Sequence, residues 1–115
     1  MLILVDASSS VSLAGQIGAQ VRAGIVTGAL RQSERLPPAR DLAESLGVNM
    51  HTVLRAYGAL RDEGLIEMRQ GRGAWVASDA SPALVRVTEL ANELMVEAQK
   101  LGMSRLEILG LIEGK

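Results

Sequence analysis

Apolar residues recur at helical spacing near the start of the chain, where Leu13, Ile17, Val21, Ile25 and Val26 fall along one side. The pattern predicts a helix over about residues 12–27, with Gly28 as its stop. Gly15, Gly18 and Gly24 lie inside it, each costing about 1 kcal/mol against Ala, so packing must hold this helix together. Ahead of it, LILV at 2–5 reads as a short edge strand and DASSS as a polar link with capping residues.

A denser pattern occupies residues 35–76. Residues 30–38 form a connection, and Pro37-Pro38 delays the next helix until Pro38, where a first-turn proline is tolerated. The second helix spans about 39–46, buries Leu42, Ala43 and Leu46, and ends at Gly47 in a left-handed turn. Asn49 is a good N-cap for a third helix reaching about residue 63, with Val53, Ala56, Tyr57 and Leu60 inward and Gly64 as its stop. Two short strands follow at 65–68 and 74–76, joined by a turn of Gln70, Gly71, Arg72 and Gly73.

After a polar link at 78–82, a long helix is expected over about 83–101. Its Leu84, Val87, Ala91, Leu94, Ala98 and Leu101 alternate at spacings of three and four, a heptad-like stripe. Gly102 breaks it, and Ser104 caps a last helix to about 113 that carries Leu106, Leu109, Leu111 and Ile112. The fold expected is mainly α with a small β-wing. A winged helix-turn-helix domain takes residues 1–78, and a two-helix C-terminal dimerisation segment takes residues 79–115.

Composition narrows the choice of partner. At 115 residues there is room for one domain and an appendage, and 48% hydrophobic content supplies a core. The net charge of −1 counts mildly against a DNA-binding module, but the location of charge matters more than its sum. Residues 68–76 hold Arg69 and Arg72 and no acid. The acidic excess lies in the tail, where Glu89, Glu93, Glu97, Glu107 and Glu113 outnumber Arg86, Lys100 and Arg105 before Lys115. With no Cys, disulfides and thiol catalysis are excluded. MLILV is too short and uncharged for a signal peptide, and no apolar run approaches about 20 residues, so a cytoplasmic protein without a membrane span is expected. The only aromatic residues are Tyr57 and Trp75, which gives single-stranded nucleic acid little to stack on.

In a helix-turn-helix the first turn of the third helix faces a duplex. Asn49, His51 and Thr52 occupy that turn with groups that bond base edges or phosphates, and Arg55 lies one turn on. Arg40 stands near the start of the second helix, where a flanking phosphate passes, and Arg72 marks the hairpin tip. RLPPARDLAESLGV, HTVLRAYGALRDEGLI and RQGRGAWVA together resemble the signature of the GntR family of bacterial transcription regulators, over roughly residues 11–77. The short tail is similar to the compact YtrA-like branch, whose tail dimerises. The resemblance implies DNA contacts at Arg40, Asn49, His51, Thr52 and Arg55, with Gln70, Gly71 and Arg72 in the wing. It also implies a homodimer on a palindromic operator, acting as a repressor. Ser33 stands where the family has Gly, which leaves room for a different local turn because positive φ costs a side-chain-bearing residue. Pro38 and Met50 replace residues that are more often polar.

Blander readings compete. His51 could ligate a metal but has no Cys companion, Arg40 and Arg55 could be surface ion-pair partners of Asp41 or Asp62, and Tyr57 and Trp75 read as packing. The tail stripe could fold back onto its own domain. No Ser/His/Asp set or paired-carboxylate pocket can be assembled, so no enzyme and no cofactor are expected. A second function class is a winged-helix docking module for other proteins, favoured by the near-neutral charge. An unidentified small-molecule effector is compatible with a small site between the tail helices or at the dimer interface.

Overall fold

The computed structural model describes residues 2–114. In chain order it contains α1 (Leu13–Thr27), α2 (Ala39–Leu46), α3 (Met50–Asp62), β1 (Ile66–Arg69), β2 (Gly73–Val76), α4 (Pro82–Lys100) and α5 (Arg105–Glu113). Two compact units divide the chain between Val85 and Arg86. The division falls inside α4 because the link ahead of it is fastened to the first unit. Ala77 and Ala80 are buried, the Ala77 N–H donates to the Leu65 carbonyl at 2.9 Å, and Gln32 Nε2 donates to the Ala80 carbonyl at 3.0 Å. Val85 then enters the same core.

In the first unit, α1 and α2 pack on α3. Ile17 and Val21 meet Val53, Tyr57, Leu60, Leu65 and Val76 in a fully buried cluster, where each aliphatic side chain contributes roughly 1.5–3 kcal/mol before chain entropy is set against it. Val26 lies outside the apolar face of α1 and is 49% exposed, whereas its neighbour Ile25 is buried. Two of the α1 glycines have a steric reason. A Cβ on Gly15 would sit 3.0 Å from the Ser12 hydroxyl that caps the helix, and one on Gly18 would sit 3.3 Å from the Arg22 guanidinium. That guanidinium forms a forked pair with Glu63 at 2.9 and 2.5 Å, clamping α1 to the end of α3.

Residues 2–5 do not form the expected strand. No strand lies beside them among the described residues, and side-chain amides take the place of one. The Leu4 N–H donates to Gln20 Oε1 at 2.9 Å while Gln20 Nε2 donates back to the Leu4 carbonyl. Gln16 treats Asp6 in the same way, at 2.7 and 2.9 Å. Ile3 is buried, and Leu2 and Leu4 are exposed.

Ser33 keeps the left-handed conformation despite its side chain, with φ 66°. The cost, about 1 kcal/mol, is offset by a backbone ladder onto β2. The Ser33 and Leu36 N–H groups donate to the Val76 and Ala74 carbonyls, each at 2.9 Å, the Val76 N–H donates to the Glu34 carbonyl at 2.8 Å, and Arg35 pairs with Trp75. Residues 33–36 thus bond along β2 through an isolated bridge at Arg35, where the sequence suggests a plain connection.

The second unit comprises the rest of α4, a turn, and α5. Ser104 and Glu107 form a capping box, and hydrogen bonds from the Ser104 N–H and hydroxyl hold the Glu107 carboxyl below its ordinary range. Its buried apolar residues are Ala98 and Ile108. Of the expected stripe, Leu84 packs against the first unit's core, Ala98 is buried, Leu94 is half-buried, and Val87, Ala91 and Leu101 are exposed. Leu90, outside the expected stripe, is exposed beside them. On α5, Ile108 is the buried residue, and Leu106, Leu109, Leu111 and Ile112 face outward. No helix of the described residues is long and apolar enough to cross a membrane.

Candidate nucleic-acid interface

The turn between α2 and α3 sets the direction in which the first turn of α3 points. Gly47 adopts φ 69°, which a residue without Cβ does at no steric cost, and the Val48 N–H closes the helix end on the Ala43 carbonyl at 3.0 Å. Asn49 is extended, and its Oδ1 accepts the His51 N–H at 2.7 Å, so α3 starts with its first turn capped. Leu42 and Ala43 of α2, with Val53, Ala56, Tyr57 and Leu60 of α3, bury the inner faces. The Tyr57 hydroxyl donates to the Pro37 carbonyl at 2.7 Å and fixes the entry of α2 against α3, and burial pushes this phenol up to about 12.

What remains on the outer edge of α3 is Asn49, His51 and Arg55, all exposed, with Thr52 half-buried. Met50 packs against the core, which explains why an apolar residue stands there. Arg40 is exposed in the first turn of α2. Neither Arg40 nor Arg55 has an ion-pair partner among the described residues, and Asp62 lies 3.5 Å from Arg61 instead. Asn49 is changed by its cap. One lone pair of Oδ1 is used by the His51 N–H, which leaves the second lone pair and the Nδ2 hydrogens for other partners.

The wing is a two-stranded antiparallel hairpin in the register Ile66↔Val76, Glu67↔Trp75, Met68↔Ala74 and Arg69↔Gly73. The Arg72 N–H donates to the Arg69 carbonyl at 3.0 Å, and Gly71 has φ 78°, the positive value that the third position of a type II turn requires. Gln70, Gly71 and Arg72 are therefore exposed at the tip, while Gly73 belongs to β2. Between the start of α2, the flank of α3 and the wing lies an open cleft of about 390 Å³, lined by Pro38, Leu54, Arg61, Arg69, Gln70 and Gly71 among others, and by no carboxylate.

Gln70 and Gly71 thus share a cleft with the approach to α2, and Asn49, His51, Thr52 and Arg55 share the leading half of α3. Arg35 and Arg61 were not among the residues singled out from sequence. Arg69 was noted for its acid-free run but not as a contact, and it ends β1 opposite Gly73. Arg35 carries no local signal. Among the described residues no group of three or more His, Asp or Glu could hold a metal with His51.

Comparison with known proteins fits this architecture. Residues 13–76 match the model of the gntR family of bacterial regulatory proteins. The HTH-type transcriptional repressor YtrA of Bacillus subtilis is 31% identical over 107 residues, covering 89% of this chain and 82% of that protein. The probable rhizopine catabolism regulatory protein MocR of Rhizobium meliloti is 42% identical over 77 residues, but this chain spans only 16% of its length. Among solved structures, YtrA from Sulfolobus acidocaldarius, a GntR-family transcription factor, superposes with a TM-score of 0.64 at 34% identity, over 96% of this chain and 93% of that one. The AraR DNA-binding domain in complex with its operator ORX1 superposes with a TM-score of 0.59 at 26% identity, over 67% of this chain and 96% of that one. With its helix-turn-helix and wing matched from α1 to the end of β2, the chain belongs to the gntR family of bacterial regulatory proteins.

Proposed function

We propose that this chain is a sequence-specific, DNA-binding regulator of transcription that reads a duplex with the leading half of α3. The observation that carries this reading is the exposed edge of Asn49, His51 and Arg55 on a buried helix-turn-helix frame, with Arg55 and the exposed Arg40 of α2 both free of ion-pair partners among the described residues. α3 lies in a major groove. Arg40 takes a phosphate, and the wing tip at Gln70, Gly71 and Arg72 reaches the adjoining backbone or minor groove. The operator complex of the AraR DNA-binding domain, a structural neighbour, supports duplex binding, and the repressor name of the B. subtilis relative supports repression.

The chain acts as a homodimer through its tail. Val87, Leu90 and Leu94 recur on one face of α4, Leu101 is exposed just past its end, and Leu106, Leu109, Leu111 and Ile112 extend the apolar surface on α5. A unit whose buried apolar residues are Ala98 and Ile108 has too small a core to stand alone, and a second copy completes it. Two α3 helices then meet an inverted repeat about 34–36 Å apart, or a multiple of that. An open cleft of about 420 Å³ in the tail, lined by Met95, Met103, Ile108, Leu109, Ile112 and Arg105, is where a small apolar effector fits. Such an effector would act by binding one spacing of the two α3 helices better than another.

A titration of labelled nonspecific duplex at low salt tests the reading. Binding that weakens steeply as salt rises is expected. No binding to any duplex would move the assignment to protein docking.

A further inference from the structure

The wing is too small to hold its own position. Two strands of four residues make a marginal hairpin in water, and its tip carries Arg72 on a three-residue loop. Something must fix where that tip points. Arg35 is placed to do so, from a segment far away in sequence. Its backbone pairs with Trp75 on β2, its Nη1 donates to the Arg72 carbonyl, and its guanidinium carbon lies 5.9 Å from the centre of the Trp75 ring. Gly73 lies between them. A Cβ there would stand 3.4 Å from Arg35 Nη1, and φ at this position is 92°, so glycine lets the guanidinium pass close to the strand.

We propose that Arg35 is a positioning residue for DNA binding: by gripping the Arg72 carbonyl and stacking on Trp75, it locks the wing tip in the orientation that lets the Arg72 side chain reach the duplex. The inference rests on the wing's role in the function proposed above. Its chemistry is specific. A planar, forked donor can serve one carbonyl and lie over a ring at once, whereas an ammonium donates from a point. Arg35 is itself exposed, so the fold does not depend on burying it.

The test compares Arg35→Gln, Arg35→Lys, Arg72→Ala and the Arg35→Gln/Arg72→Ala double variant of the full chain. Each is titrated against a duplex enriched by selection with the unaltered protein, and thermal melts and Trp75 emission are recorded alongside. Arg35→Gln and Arg72→Ala each weaken binding about tenfold. The double variant is no weaker than the weaker single one, because both changes remove the same contact. Arg35→Lys recovers part of the loss, and Trp75 emission shifts in Arg35→Gln while the melt stays close to the parent. Losses that multiply in the double variant would mean Arg35 touches DNA on its own account, and the proposal fails. Undiminished binding by Arg35→Gln overturns it as well. If the melt of Arg35→Gln drops, an added Arg35→Lys/Arg72→Ala double variant decides the matter by the same criterion. A silent Arg72→Ala, with His51→Ala still impaired, removes the wing from the interface and the brace with it.

Discussion

The Tyr57 hydroxyl donates to the Pro37 carbonyl at 2.7 Å, across twenty positions of sequence, and this contact holds the start of α2 against the middle of α3. It sets the angle between α2, proposed to meet phosphate, and α3, proposed to meet bases. Tyr57→Phe is expected to lose about 1 kcal/mol in a urea titration. Burial raises this phenol from 10.0 to about 12. A raised value means that the folded state disfavours the phenolate. The stabilisation is complete below about pH 10 and is lost as pH climbs through about 12. Tyr57 is the sole tyrosine, so absorbance near the phenolate band follows it directly. A midpoint near 10 in the folded protein would contradict the burial.

Arg22 and Glu63 form the other fixed joint, with side chains 16% and 17% exposed. Removing one partner strands the other in a half-dry site. Glu63→Gln is expected to cost about 2 kcal/mol of unfolding free energy, and the Arg22→Leu/Glu63→Leu double variant to cost clearly less than the sum of its single changes. Additive losses in a double-mutant cycle would show that the pair contributes nothing as a pair.

On the DNA face the predicted effects separate by type of contact. Arg40→Ala weakens binding to all duplexes alike and reduces the slope of log affinity against log salt by about 0.9. His51→Ala lowers the ratio of operator to random binding about tenfold and leaves that slope nearly unchanged. Asn49→Ala differs from both, because Oδ1 caps α3 and its loss should cost about 1 kcal/mol of stability. A His51→Ala protein with the parental specificity ratio would move the reading edge away from α3.

In the tail, Leu90→Asp and Leu94→Asp place a charge on the outward apolar face and are expected to give monomers by analytical ultracentrifugation, with weakened operator binding. Ala98 is 2% exposed, so Ala98→Asp should disrupt the tail helices themselves, visible as lost helical circular dichroism. Dimers persisting in both leucine variants would exclude this face as the interface.

Much of this was legible in the chain because the signals were local. Asn49 as a cap, Gly47 as a left-handed stop and the 53, 56, 57, 60 spacing define α3 within one window of sequence. The failures share a cause, which is that long-range contacts leave no periodicity. Leu2–Val5 looked like a strand by composition, yet its backbone is satisfied by Gln16 and Gln20 side chains on α1, residues that periodicity treats as solvent-facing. Residues 33–36 looked like a connection, yet they pair with β2, and Arg35 meets Arg72 across the whole helix-turn-helix. The stripe on α4 was placed slightly off its exposed face, because the spacing alone cannot tell that Leu84 belongs to the first unit's core and that Ala98 is buried.

Selection of duplexes from a random pool by the full chain bears most directly on the central claim, that α3 reads bases as one of a symmetric pair. The account predicts enrichment of two inverted half-sites whose centres lie about one helical turn apart, or a multiple of it, and loss of that enrichment with His51→Ala. A pool that remains random after repeated rounds, or a single unrepeated site bound equally well by the His51→Ala protein, would contradict it.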